Sequence, residues 1–216
     1  MEGTYNSVEL RGVMAGAPRF SHRGGGSDYY TFPLDVVRLS GTADTINIIA
    51  RRDILDAEPG EGDKVYIRGE LRSFNNRSGV GHRLVITVLA RELRTEFGDF
   101  LNSVELTGTI CREPIFRRTP MGREICDLML AVNRRYGRSD YLPVICWGMT
   151  AKQTAMLPVR TRVRLSGRIQ SRKYLKAEGD ELIEKTAFEV SAVQLQTVEE
   201  DGLGRIAEPI GPYPAN

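Results

Sequence analysis

The stretch Asn6-Ser-Val-Glu-Leu-Arg-Gly12 returns 96 residues later as Asn102-Ser-Val-Glu-Leu-Thr-Gly108, with six of its seven positions identical. Two further matches follow in the same order, with offsets of 98 and 102: Lys64–Ser73 over Arg162–Ser171, then Leu84–Leu93 over Thr186–Leu195. Three collinear matches indicate a duplicated domain of roughly 95 residues, which is too long for a solenoid repeat. The sequence therefore predicts two domains, 1–98 and 99–197, followed at 198–216 by a flexible tail rich in acid, Pro and Gly.

Each copy has the two-residue hydrophobic period of half-buried strands. The alternating apolar positions of the second copy are Val104, Leu106, Leu128, Leu130, Val132, Leu142, Val144, Cys146, Val163, Leu165 and Ile169. Between its third and fourth strands, Met149–Leu157 is a short helical stretch that Pro158 ends. Five strands with one helix before the fourth predict an all-β protein of two tandem OB-folds, each a five-stranded Greek-key β-barrel with a short helix.

The composition excludes several classes of protein. The 216 residues are 41% hydrophobic and 27% charged, a globular balance, and no apolar run reaches the roughly 20 residues of a membrane-spanning helix. The first residues show no secretion signal, so a cytoplasmic protein without a membrane partner is expected. Three scattered cysteines and two isolated histidines predict no metal site and no cofactor. With no base–nucleophile constellation or carboxylate pair, we expect no enzymatic activity.

The net charge of +2 conceals an uneven distribution. Residues 1–98 carry 13 basic and 13 acidic residues, whereas residues 99–197 carry 16 basic and 11 acidic ones. The last 19 residues carry one basic and four acidic residues. A basic second half favours a polyanionic partner.

The fourth strand of the second copy concentrates this charge on one face. Because side chains two apart point the same way, Arg162, Arg164, Arg168, Arg172 and Tyr174 share the outer parity, and Lys173 adds charge at the end of the strand. A merely solvated face is the alternative, but such faces usually mix the two signs of charge. The pattern therefore favours a surface that binds a polyanion.

The third strand of the second copy adds aromatic residues. Tyr141, Pro143, Ile145 and Trp147 share its predicted outer parity, and the turn before it contains Arg134, Arg135 and Tyr136. Each ring has burial in the core as its alternative. Arginines interleaved with aromatic rings on a small barrel are typical of a single-stranded nucleic-acid site, where cations follow the backbone and rings stack on bases.

The first copy keeps the pattern of strands but dilutes the site. The outer parity of its fourth strand holds Tyr66, Arg68, Arg72 and Phe74, interrupted by Glu70. We interpret Tyr29 and Tyr30 as partial replacements for the missing aromatics. The loop His22–Ser27 is interpreted as a hairpin tip, because it lacks the Lys-Ser/Thr of a P-loop and leads into a strand. The first domain is expected to bind weakly or to serve assembly.

Several segments of the second copy carry a resemblance to a known family: Asn102–Gly108, Thr119-Pro-Met-Gly-Arg123, Leu130-Ala-Val-Asn133, Val144-Ile-Cys-Trp-Gly148 and Ser166–Tyr174. In order and spacing they resemble the bacterial single-stranded DNA-binding protein family, and the two copies together resemble its tandem two-OB-fold variant of clostridial type. The resemblance implies base stacking on Tyr136, Tyr141, Trp147 and Tyr174. It also implies a homodimer, because two chains would supply the four barrels that the family usually assembles.

The resulting expectation is a non-enzymatic, sequence-independent binder of single-stranded DNA that acts in DNA replication, recombination or repair, in the cytoplasm on the nucleoid. Replication or repair proteins are further expected partners, although the acidic tip with a terminal aromatic that the family uses for recruitment is not seen in Gly211–Asn216. Two alternatives stay open at this point. One is a primosome-type accessory protein whose barrels hold protein partners, and the other is a single-stranded RNA binder.

Overall fold

The computed structural model describes residues 5–55, 59–76, 84–134, 137–178 and 181–198, with backbone alone at 175–178 and 181–185. Arg135, Tyr136 and nearly all of the predicted tail lie outside the described residues. The described chain consists almost entirely of strands, so the predicted all-β class is confirmed.

The first copy forms six strands and one 3₁₀ turn. The strands are β1 (Asn6–Met14), β2 (Arg19–Gly24), β3 (Ser27–Val37), β4 (Ala43–Arg51), β5 (Lys64–Asn75) and β6 (Leu84–Thr95), and the 3₁₀ turn is Arg52–Leu55. β1 pairs antiparallel with both β3 and β5, and β4 pairs parallel with β6. With β3–β4 and β5–β6 antiparallel, these pairings close the first barrel.

The second copy repeats this order. Its strands are β7 (Leu101–Ile110), β8 (Ile115–Arg118), β9 (Glu124–Asn133), β10 (Ser139–Trp147), β11 (Arg162–Glu178) and β12 (Glu181–Thr197). β7 pairs with β9 and β11, and β10 pairs parallel with β12, which closes the second barrel. The predicted helix is present as α1 (Gly148–Thr154) and ends earlier than Leu157. The extra strands β2 and β8 each form a hairpin with the strand that follows.

Two pairs of glycines account for part of the internal repeat. A Cβ on Gly12 would lie 2.5 Å from the carbonyl oxygen of Asp35, and one on Gly108 would lie 3.0 Å from that of Ala131. These glycines sit where the first strand of each barrel passes from one partner strand to the other. Farther along, a Cβ on Gly69 or on its counterpart Gly167 would lie 2.3 Å from a carbonyl oxygen of the last strand. Close backbone approach therefore requires glycine at Gly12, Gly69 and Gly167, whereas a side chain at Gly108 would require its neighbours to shift by a few tenths of an ångström.

The core of each barrel is built from the alternating apolar residues that the sequence predicts. Phe32, Leu34 and Ile48 are at most 1% exposed in the first barrel, as are Leu130 and Leu142 in the second. Full burial of one such side chain stabilises the fold by about 1.5–3 kcal/mol. Each barrel thus contains a hydrophobic core of its own.

On β10 of the second barrel, the predicted outward residue Ile145 is buried. Ile145 shares the outer parity of β10 but is only 3% exposed. It lies between Asp127 of β9 and Ser191 of β12 in the sheet. Arg117 contacts Asp127 and Trp147 contacts Ser191, so side chains are anchored on both sides of Ile145. The alternation of a strand does not reveal such contacts, which involve side chains of β8, β9 and β12.

Contacts divide the chain into two compact units. One contains Ser7–Ser103 together with Ser171–Phe188, and the other contains Val104–Gln170 together with a segment from each end of the chain. The predicted boundary at residues 98 and 99 falls in the connection between β6 and β7. The assignment of Ser171–Phe188 interrupts the second predicted range, so the continuous domains 1–98 and 99–197 stay predictions. Within the described residues, the structure contains no helix with the length and apolar character needed to span a bilayer.

Candidate nucleic-acid interface

The arginines of β11 lie on the exposed face of the strand as far as Gln170. Val163, Leu165 and Ile169 are buried, whereas Arg164 and Arg168 are exposed. No acidic side chain among the described residues forms an ion pair with Arg168. The guanidinium of Arg164 lies 3.6 Å from the carboxylate of Glu105, and both side chains are more than 40% exposed. An exposed pair of this kind is weak, so both arginines are accessible to an anion.

The continuation of β11 belongs to the unit of Ser7–Ser103. Arg172 and Lys173 are exposed there, and Tyr174 is half-buried. The guanidinium of Arg172 lies 5.7 Å from the centroid of the Tyr174 ring, within the range of a cation–π contact. A cation and a ring are therefore adjacent on this part of the strand.

β10 carries two rings of the predicted site. Tyr141 is 50% exposed. Trp147, at the end of the strand, is half-buried, and its indole Nε1–H donates a hydrogen bond of 3.0 Å to the Ser191 hydroxyl oxygen on β12. This hydrogen bond fixes the orientation of the indole while part of the ring stays exposed. Each of the two side chains is thus at least partly exposed to solvent.

Arg134 has a partner that the sequence analysis missed. Its Nε donates to Asp140 Oδ2 at 2.6 Å, and a second guanidinium nitrogen contacts Oδ1 of the same fully buried carboxylate. The first barrel has the same fork between Arg38 and Asp44, with an Nε–Oδ2 distance of 2.6 Å. The two forks close the turns that lead into β4 and β10, respectively. The signal was present in the sequence, since both pairs are six residues apart and recur at the offset of 96.

Asp44 has further donors in its unit. The backbone N–H of Ser171 and the Ser171 hydroxyl both donate to Asp44 Oδ1, at 2.7 and 2.8 Å, and Arg38 donates to the Ser171 carbonyl oxygen at 3.0 Å. Burial acts to raise the pKa of Asp44, but the hydrogen bonds from Arg38 and Ser171 outweigh burial and lower it. The carboxylate is thus held ionised inside the fold.

On β5 of the first barrel, the charges neutralise each other. Glu70 forms ion pairs with Arg72 and with Arg91, the latter at 3.1 Å. Arg68 is exposed, and Phe74 is 48% exposed. Glu70 therefore neutralises the neighbouring arginines on the predicted weaker surface of the first barrel.

Tyr66 does not present a free ring on that surface. It is only 8% exposed, and the guanidinium of Arg94 lies 4.0 Å from the centroid of its ring. Arg94 in turn forms ion pairs with Glu92 and Glu96, which hold it over the ring. A side chain from the neighbouring strand thus occupies the place where a base would stack.

The cysteines lie where unreactive thiols are expected. Cys126 and Cys146 are buried and face each other across β9 and β10. Burial raises the pKa of Cys126 to about 11 and that of Cys146 to about 12. Cys111, just after β7, is partly exposed. The two buried thiols are protonated at neutral pH and serve packing.

Comparison with known proteins identifies the family. Residues 101–198 match the model of the single-strand binding protein family. The chain is 35% identical over 85 residues to single-stranded DNA-binding protein B of Bacillus subtilis, a match that covers 36% of this chain and 75% of that protein. It is 32% identical over 109 residues to the single-stranded DNA-binding protein of Halalkalibacterium halodurans, covering 47% of this chain and 63% of that protein.

A solved structure shows the same fold over the whole chain. The wild-type single-stranded DNA binding protein from Thermus aquaticus superposes with a TM-score of 0.73 at 22% identity, covering 99% of this chain and 97% of that one. At this identity the likeness supports the fold of two closed barrels alone. The family match over the second barrel and the identity with the Bacillus protein together show that the chain belongs to the single-strand binding protein family.

Proposed function

We propose that this protein binds single-stranded DNA without sequence preference and protects strands opened in DNA replication, recombination or repair. The observation that carries the proposal is the exposed arginine face of β11, where Arg168 has no acidic partner among the described residues. Cations placed in this way follow a phosphate backbone, and exposed rings stack on bases of any sequence. The chain's relatives are named for binding single-stranded DNA, and the family is not enzymatic.

In the proposed site, Tyr141 and Trp147 stack on bases, and Arg164 and Arg168 pair with phosphates. Arg172, Lys173 and Tyr174, which belong to the unit of Ser7–Ser103, are proposed as a separate group of one ring and two cations. Arg134 is assigned to holding its turn through Asp140, and Arg135 and Tyr136 stay in the proposal on the sequence alone.

The first barrel is proposed to bind more weakly or to serve assembly, through Arg68, Arg72 and Phe74. Two barrels per chain lead us to propose a homodimer of four barrels. A role on opened chromosomal strands also implies a cytoplasmic, nucleoid-associated location. Light scattering on the full chain tests the oligomer, because a monomeric mass at micromolar concentration contradicts it.

Trp147 provides the test of DNA binding, since it is the protein's only tryptophan. Titration with oligo-dT is expected to quench its fluorescence, and duplex DNA of equal length is expected to leave it unchanged. Affinity is expected to fall linearly on a plot of log K against log salt, because phosphate contacts release counterions. Absence of both quenching and salt dependence overturns the proposal.

The same titration separates the alternatives. A primosome-type accessory role predicts that oligo-dT alone gives no saturable binding with a defined site size. An RNA binder predicts that oligo-U displaces oligo-dT in competition, because recognition of the 2′-hydroxyl favours RNA. Saturable binding of oligo-dT alone, together with preference for oligo-dT over oligo-U in competition, supports the proposed function.

A further inference from the structure

The hairpin β2–β3 of the first barrel holds two aromatic pairs that the proposed surface does not include. The rings of His22 and Tyr29 stack, with centroids 4.8 Å apart and an interplanar angle of 2°. The rings of Phe20 and Tyr30 meet edge to face, with centroids 6.0 Å apart. Phe20 is 60% exposed, and His22 is also exposed. Two ring pairs thus lie on a largely exposed hairpin of the first barrel.

The register of the hairpin separates the two pairs. An irregularity between Phe20 and His22 places Phe20 opposite Tyr30 and His22 opposite Tyr29. Because Tyr29 and Tyr30 are consecutive, their side chains point to opposite faces of the strand. Tyr30 shares the parity of the buried Phe32, so Tyr29 and its stacked imidazole lie on the outer face.

This outer position corresponds to that of Trp147 in the second barrel. Tyr29 lies opposite Arg51 in the β3–β4 pair, and Ile125 lies opposite Trp147 in the β9–β10 pair. At the offset of 96, Tyr29 corresponds to Ile125 and Arg51 corresponds to Trp147. Each barrel therefore places one aromatic ring at this point of its outer face. In the second barrel the ring is Trp147 on β10. In the first barrel it is Tyr29 on β3, the strand paired with β4, which is the equivalent of β10.

Cations accompany the stacked rings. Arg51 pairs with the exposed Asp53, and Arg23 pairs with Asp28 at 2.6 Å. Exposed ion pairs are weak, so a phosphate can replace either carboxylate at small cost. Arg19, at the start of β2, is exposed and has no acidic partner among the described residues. The charge at this place suits an anionic ligand.

We propose that His22 and Tyr29 form a stacking platform on which the first barrel binds a base of single-stranded DNA, with Arg51 at the adjoining phosphate. Tyr29 is half-buried and supports the imidazole, and the exposed His22 presents its free face to the base. Histidine and tyrosine are both among the side chains on which unstacked bases lie. This inference rests on the proposed function and gives the first barrel its own base-contacting residues.

The test compares His22→Ala and Tyr29→Leu with Phe97→Leu, a control at an aromatic residue that is 86% exposed. His22 is exposed, so its variant keeps the fold even if Tyr29→Leu loosens the hairpin. Each full-length variant is titrated with two dT oligonucleotides, of about 8 and about 32 nucleotides, since one OB-fold covers roughly 4–16 nucleotides. Trp147 quenching reports binding by the second barrel in every titration.

We expect His22→Ala and Tyr29→Leu to weaken binding of the longer oligonucleotide by about tenfold, as loss of one stacked base does. The affinity for the shorter oligonucleotide and the amplitude of Trp147 quenching at saturation are expected to match those of Phe97→Leu. An oligonucleotide carrying 5-iododeoxyuridine should also form a photo-adduct on His22 or Tyr29 in the wild type. Unchanged affinity of both variants for the longer oligonucleotide, with no such adduct, overturns the platform. Absence of Trp147 quenching in the wild type would instead contradict the proposed function.

Discussion

The two barrels have similar interiors, but they differ on the outer faces of the equivalent strands β5 and β11. Arg38 and Asp44 repeat as Arg134 and Asp140, with the same fork and the same buried carboxylate. At the offset of 98, by contrast, Glu70 of β5 stands where β11 has Arg168. Glu70 binds the arginines around it, whereas Arg168 has no acidic partner within the described part of the chain. The buried ion pair is thus the same in both copies, whereas the charge at the position of Glu70 and Arg168 differs between them.

The largest expected effect comes from breaking the shared fork. Arg38→Ala and Arg134→Ala each leave a carboxylate buried without its cation, which costs about 3–5 kcal/mol when a buried pair loses one partner. We therefore expect each variant to lower the free energy of unfolding by about 3 kcal/mol, measured by urea denaturation.

Arg164→Ala is the matched control for these variants, because its side chain is 46% exposed and pairs only weakly. It should leave the urea midpoint unchanged and reduce affinity for oligo-dT. If Arg134→Ala keeps wild-type stability and loses only DNA affinity, its fork is not structural and the barrels differ in their interior too.

An exchange of charge between the fourth strands is expected to have the next largest effect. Arg168→Glu gives β11 the acid of β5, so affinity for oligo-dT should fall roughly tenfold at low salt, with a shallower slope against log salt. Glu70→Arg gives β5 the cation of β11 and should steepen that slope. Fluorescence titration of Trp147 over a range of salt concentrations measures both. Equal slopes for the two variants and the wild type would show that the barrels do not differ through this position.

A smaller effect is expected on acidification, which should remove the stability that the hydrogen bonds to the Asp44 carboxylate provide. Because its pKa is lowered in the folded state, this carboxylate contributes stability above its unfolded pKa, near 3.8, and the contribution is lost as the pH falls through the folded pKa. Urea unfolding followed from pH 7 to pH 2 should show this loss in the wild type. Asp44→Asn cannot titrate, so its stability should be lower at pH 7 and should change less on acidification. An identical pH profile in the two proteins would exclude Asp44 as a contributor.

The smallest effect is expected at the paired thiols, which only the second barrel has. Their pKa values of about 11 and 12 lie above the ordinary value of 9.0, so the protonated thiols contribute stability that is fully present below pH 9. This contribution should decline as the pH rises from 9 through 11 and 12, and Cys146→Ala should reduce the decline. At pH 8, a thiol reagent should label Cys111 in the native protein and the other two cysteines only after unfolding. Rapid native labelling of all three would contradict their burial.

Much of the fold could be predicted from the sequence because it depends on local periodicity and on the duplication. The alternation of Val163, Leu165 and Ile169 with arginines identified the exposed face of β11 correctly. Tyr66 and Ile145 were assigned to outer faces on the same rule, yet both are buried. The guanidinium of Arg94, on the neighbouring strand, lies over Tyr66, and the period of one strand carries no information about such contacts. The contact of Arg134 with Asp140 was not predicted, because the period of β10 places Asp140 on the inner face without showing which cation reaches it.

The parallel pairings of β4 with β6 and of β10 with β12 have a consequence for synthesis on the ribosome. Ile48 pairs with Val88, 40 residues farther along the chain, so the third strand keeps an open edge until the last strand of its barrel has emerged. During that interval the nascent chain exposes unpaired backbone groups that invite pairing with other chains. Because β6 precedes β7 in the chain, all strands of the first barrel have emerged before β7 does, and closure at β6 can end this exposure. The order of the duplicated strands thus limits how much open sheet edge a growing chain presents at one time.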